Sequence, residues 1–79
     1  MIYMTCTTPG HNKFYNIDIR QYKHTGRIQY ILKGYYGPIG KTGQVAIIYN
    51  GYSSDDMYAA YDKLVASKLK KGYVVIRED

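Results

Sequence analysis

From Lys13 to Tyr22 apolar and polar positions alternate with a period of two. Tyr15, Ile17 and Ile19 fall on one side and Asn16, Asp18 and Arg20 on the other, the pattern of a strand with one covered and one wet face. The segment from Arg27 to Gly37 repeats it, with Ile28, Tyr30 and Leu32 opposite Gln29, Ile31 and Lys33. Met1–Thr7 is β-prone and stops at Pro9-Gly10, a turn signal, and Lys23–Gly26 reverses the chain again. After a glycine-rich loop, Gln44–Tyr52 is a nearly continuous β-rich run. Strands that follow one another through short loops pair most economically as an antiparallel meander.

The period changes at Ser53. Ser53 and Ser54 before Asp55 and Asp56 supply an N-cap and negative charge for a first helical turn, and Gly72 lies just past a lysine-rich end. Met57, Ala60, Tyr61, Leu64 and Val65 share one face at helical spacing, while Ala59, Asp62, Lys63 and Ala66 share the other. The spacing predicts one helix over about residues 55–70, its apolar face covering the sheet. Gly72–Asp79 then returns as a short edge strand whose Arg77 and acidic tail discourage further pairing. The predicted fold is α+β: a small antiparallel meander of about four to five strands packed against one helix, in a single domain over residues 1–79.

Composition narrows the chemistry. Lys and Arg number 11 against 6 Asp and Glu, giving a formal charge of +5, and 11 tyrosines stand beside one Phe and no Trp. Positive charge attracts phosphate, and tyrosine supplies a flat ring with a polar tip. The lone Cys6 cannot form an internal disulfide, and with two scattered histidines it does not reach a zinc-site spacing. No segment reaches membrane-spanning length, and the first ten residues lack a basic stretch followed by an apolar run, so a cytoplasmic setting without membrane association is expected. His11 and His24 lie in turn-like segments, no pattern places either beside an activating partner for Cys6, and Asp55 and Asp56 are explained as helix-capping charge. Catalysis, a metal and a cofactor are therefore not expected.

Two features remain. Tyr35-Tyr36-Gly37-Pro38-Ile39-Gly40-Lys41-Thr42-Gly43-Gln44 uses three glycines at one reversal, with aromatic rings at its mouth and a lysine near its tip. Gly40-Lys41-Thr42 is not a phosphate-binding P-loop, because no glycine stands five residues before Gly40 and no helix follows. The glycines either let the hairpin lie flat against another chain or serve the turn alone. Lys68, seven residues after Tyr61 and eleven after Met57, falls near the centre of the apolar helix face. Its stem either packs on the core with the ammonium snorkelling to the helix C-terminus, or aims that ammonium at a phosphate on the sheet rim. Lys70 and Lys71 read as solvated surface.

Taken in order, Asn12–Ile19, the Tyr35–Gln44 hairpin, a helix with Tyr61 ahead of Lys68, and Lys70-Lys71-Gly72-Tyr73 resemble a Trp-Gly-Arg (WGR) domain over roughly Asn12 to Tyr73. In that family a strand opens with Lys-aromatic-aromatic, a hairpin carries Trp-Gly-Arg-Ile/Val-Gly and a further Gly-Gln, and the helix bears an aromatic seven residues before a lysine. Here Tyr36 stands in place of the tryptophan and Pro38 in place of the arginine, while Gly37, Ile39, Gly40, Gly43 and Gln44 agree. The chain resembles small stand-alone bacterial members more than a polymerase fragment. The resemblance implies contact with DNA, or with RNA or a single strand. In poly(ADP-ribose) polymerases the domain grips a DNA end, the tryptophan stacking near the terminal nucleotide. Tyr36 would keep the stacking, since every base offers a π-face. The arginine's charge would move to Lys41 or Lys33, leaving end-specific recognition unassigned. The residues expected to bind nucleic acid are Tyr36, Lys41, Lys33, Gln44 and Lys68. The competing class is a protein-interaction module or self-association through a tyrosine-rich sheet face, separable from nucleic acid by its weak response to salt.

Overall fold

The computed structural model describes residues 1–79. Five strands and one helix follow in the order β1 (Ile2–Cys6), β2 (Lys13–His24), β3 (Arg27–Pro38), β4 (Gln44–Gly51), α1 (Ser54–Lys70) and β5 (Val74–Glu78). The first four strands form the expected meander, and β5 returns from the helix to pair antiparallel with β1, giving the sheet order β4-β3-β2-β1-β5. The architecture is the predicted α+β arrangement, with the predicted edge strand at the C-terminal end.

Register decides which residues meet. Tyr15 pairs with both Met4 and Tyr36, Ile17 with Ile2 and Gly34, and Ile19 with Leu32, so the alternating apolar positions of three strands share one face. Helix α1 lies on that face. Met4, Tyr15, Ile17, Leu32 and Met57 form the buried cluster, flanked by half-buried Tyr30, Tyr36, Tyr49, Ala60, Tyr61, Leu64, Val65 and Tyr73. Fully burying such a side chain stabilises by about 1.5–3 kcal/mol. The apolar helix stripe is therefore the face read from the spacing.

The helix begins where the capping residues dictate: the Asp56 amide donates to Ser53 Oγ at 3.1 Å, and the Ser53 amide donates to the Tyr49 hydroxyl at 3.2 Å. It ends in two reverse bonds, Tyr73 N–H to the Lys68 carbonyl and Gly72 N–H to the Leu69 carbonyl, both 3.1 Å. This pattern needs a left-handed residue after the cap, and Gly72 supplies it with φ 97°. The turn throws Tyr73 back towards the core.

The opposite face is less wet than its sequence suggests. Asp18 retains only 6% of its accessible surface there, its carboxylate accepting a bond from Arg20 Nε at 2.8 Å. Half-buried Tyr3, Phe14, Ile31 and Tyr35 cover much of the rest.

Candidate nucleic-acid interface

One end of the sheet gathers aromatic rings and lysines. Because Tyr15 and Tyr36 are cross-strand partners on the helix-covered face, their rings stack with centroids 5.7 Å apart and planes 12° from parallel. Tyr73 meets Tyr15 edge-on at 6.4 Å. The Tyr36 hydroxyl donates to Gln44 Oε1 at 3.2 Å, tying β3 to β4 at the mouth of the hairpin. Tyr35 points to the other face, opposite Asn16.

Two glycines have steric reasons that composition does not reveal. A Cβ on Gly34 would collide with the Tyr15 hydroxyl, so this glycine gives the Tyr15 ring its seat. A Cβ on Gly43 would collide with the Tyr36 carbonyl oxygen and come within 2.8 Å of the Phe14 ring. The hairpin glycines thus let its two arms and Phe14 approach closely, and the reversal closes with the Lys41 amide donating to the Pro38 carbonyl at 3.1 Å.

Lys68 sits over this aromatic group. Its Nζ is 4.2 Å from the Tyr15 ring centroid and 5.7 Å from that of Tyr73, so stem packing and a fixed ammonium position occur together. Lys13, opposite Pro38 in the β2–β3 register, approaches from the sheet. Lys71, the helix C-cap, approaches from above. With His11, Cys6 and Tyr73 these three lysines line a hollow of about 400 Å³. The only salt bridges in the chain are Arg20–Asp18 and Arg77–Asp79. None of the three lysines has a carboxylate to neutralise it.

That crowding has an electrostatic signature. Burial lowers the Lys68 pKa below the ordinary lysine value, and the Lys71 and Lys13 charges push the same way. Burial raises the Tyr15 hydroxyl, with Tyr36 and Tyr73 adding to it, and raises that of Tyr73. Both directions follow from burial beside like charges, and an anion placed near Lys68 would favour its charged form.

Of the residues expected from the sequence, Tyr36, Gln44 and Lys68 come together at this end. Lys41 lies exposed at the adjoining hairpin tip. Lys33 does not join them: it pairs with Asp18 and projects from the helix-free face. Lys13, Tyr15, Tyr73, His11 and Lys71 are additions; Lys71 is exposed, as expected of it, and also borders the hollow. Lys13 and Tyr15 share the parity of Ile17, a signal present in the sequence; its pairing with Pro38 needed the register.

No helix is long and apolar enough to cross a membrane. No curated protein and no solved structure matches the chain. A family profile described as the WGR domain matches residues 1–79, the whole chain, and the chain therefore belongs to the WGR family, whose domains generally bind nucleic acid.

Proposed function

We propose that this protein is a non-catalytic DNA-binding domain that holds backbone phosphate in the lysine-lined hollow and stacks Tyr36 on a base or strand end. The observation that carries this reading is the convergence of Lys13, Lys68 and Lys71 without any carboxylate partner, beside a stacked tyrosine pair. Lys13, opposite Pro38, supplies from the neighbouring strand the charge that the family's arginine would carry at position 38. Tyr15 supports the Tyr36 ring from one side and leaves its outer part for a ligand. Lys41 adds a point charge at the hairpin tip, and Gln44 holds the Tyr36 hydroxyl. Lys33 lies on the other face and serves a different surface.

Fluorescence anisotropy with blunt duplex, single-stranded DNA and RNA tests the reading. Three neutralised phosphates predict that log K falls against log salt with a slope of about −3 for duplex. A flat salt response, or no binding at low salt, refutes it. No binding to any of the three nucleic acids would favour a protein or self-association surface on the helix-free face, where Tyr3 and Tyr35 flank Asn16 and Phe14 lies diagonal to both.

A further inference from the structure

The two edges of the sheet are not equally protected. β5 is 5 residues long and carries Arg77 and Glu78, the kind of charge that discourages strand pairing. β4 is 8 residues long, Gln44–Gly51, with neither a charge nor a proline. As the terminal strand beyond β3, it leaves its outward main-chain N–H and C=O groups unpaired. Val45 and Ile47 are 56% and 61% exposed.

The inner side of this edge is shaped. The register with β3 slips between the Leu32–Tyr49 and Lys33–Ile47 pairs, so Ile48 is an extra residue in β4. Such bulges re-aim a side chain. Ile48 lines a shallow groove of about 280 Å³ against Ala60 and Leu64 of α1, bordered by Lys63 and Ser67. An unpaired strand edge beside an apolar groove walled by a helix is the geometry in which an extended peptide adds a strand and places alternate side chains in the groove.

We propose that the β4 edge and the β4–α1 groove bind an extended peptide segment of a partner protein, with aliphatic side chains at alternate positions and a carboxylate facing Lys63. Charge selects this occupant over a second copy. Antiparallel β4–β4 pairing about a two-fold axis normal to the sheet would set both helices on one face and bring two Lys63 ammoniums to one seam, between chains of formal charge +5 each. Lys63 has no carboxylate partner within the chain, and an acidic side chain supplies one. The surface is separate from the lysine-lined hollow: the two share no lining residue.

The test uses the full chain, ¹⁵N-labelled, and two pools of synthetic peptides about eight residues long, matching β4. Both pools vary Val, Ile, Leu and Phe at alternate positions; one carries a glutamate and the other a lysine at a fixed site. The proposal expects amide shifts and slowed hydrogen exchange at Val45–Tyr49, with shifts at Ala60–Ser67, and binding of the glutamate pool about threefold tighter than the lysine pool. Lys63→Glu should invert that order, and Ile48→Lys should abolish binding by either pool without lowering the melting temperature. Absence of β4 shifts with both pools overturns the proposal. So does an unchanged preference in Lys63→Glu, or appearance of the β4 shifts on titration with oligonucleotide. Concentration-dependent β4 broadening with a doubled sedimenting mass and no peptide effect also overturns it, making the occupant a second copy.

Discussion

Replacing Lys68 by Met separates structural from binding roles in one residue, because the apolar stem stays and only the ammonium leaves. On the folding side, the substitution removes cation–π contacts with Tyr15 and Tyr73, each about 0.5–1 kcal/mol. It also removes a favourable charge in the last helical turn, about 0.3–1 kcal/mol. Against these losses it relieves the desolvation and the crowding by Lys71 and Lys13 that lower the Lys68 pKa. The opposing terms are of similar size, so the net change should stay within about 1 kcal/mol, a shift of about 4–8 °C or less in the melting midpoint of a domain this small. On the binding side nothing offsets the loss. A charge-assisted hydrogen bond contributes about 1.5–3 kcal/mol, so duplex affinity should fall about tenfold or more at low salt. The salt slope should become shallower by about one. Anisotropy titrations over a salt series, run beside circular-dichroism melts, measure both quantities. A folded Lys68→Met protein that binds within about twofold of wild type with an unchanged slope would refute the phosphate role. A midpoint lowered by more than about 10 °C would instead make Lys68 a structural residue whose ammonium stabilises the aromatic group.

Tyr36→Trp should hold or improve affinity for single-stranded and overhang DNA, because the larger ring keeps the platform on Tyr15, whereas Tyr36→Ala should cost about 1–3 kcal/mol of that affinity. Equal binding by folded Tyr36→Ala and wild type in anisotropy would remove Tyr36 from the site. Gly34→Ala drives a Cβ into the Tyr15 ring and should destabilise by about 1–3 kcal/mol in thermal melts; an unchanged midpoint would show that Tyr15 can move without loss. Because burial depresses the Lys68 pKa and a bound phosphate favours its charged form, binding takes up a proton in the window above that lowered value. Affinity should therefore be full at lower pH and fall as pH rises through the lowered pKa, before ordinary lysines titrate. Lys68→Arg should shift that decline to higher pH, and an identical profile for the two proteins would contradict the assignment.

The sequence carried the elements and the helix face, because both rest on periodicity within one segment. Tyr15, Ile17 and Ile19 alternate visibly, Ser53 and Gly72 mark the helix ends, and the Met57–Lys68 stripe needs only the helical repeat. What depends on register was not legible. Lys33 sits three residues from Tyr36 in sequence but on the opposite face, so proximity along the chain suggested a grouping that strand parity forbids. Lys13 is 25 positions from Pro38 and directly across from it. The bulge at Ile48 breaks the alternation of β4 and opens a groove that no periodic reading of that apolar run would place. Asp18 illustrates the same limit, being polar by pattern yet covered on a face that has no helix.

On the proposed reading, the same register would let Lys13 stand in for the motif's arginine. In an antiparallel pair, cross-strand neighbours on one face lie within about 5.5 Å of each other, so a cation lost from β3 can be replaced from β2 without altering the hairpin. Pro38 keeps the hairpin's approach, accepting the turn bond from Lys41 through its carbonyl while donating none itself. The Ile39 amide bonds the Asn12 carbonyl at 3.0 Å, which fixes the start of β2 beside the hairpin and with it the position of Lys13. Lys68 and Lys71 are fixed separately, by the helix stripe and by the Gly72 turn. Three lysines therefore reach one hollow from two independent elements, each held by backbone geometry rather than by a carboxylate. Lys13 and Lys71 are exposed and Lys68 is half-buried, and the two neighbouring charges push the Lys68 pKa down; on the proposed reading a bound phosphate would offset that repulsion.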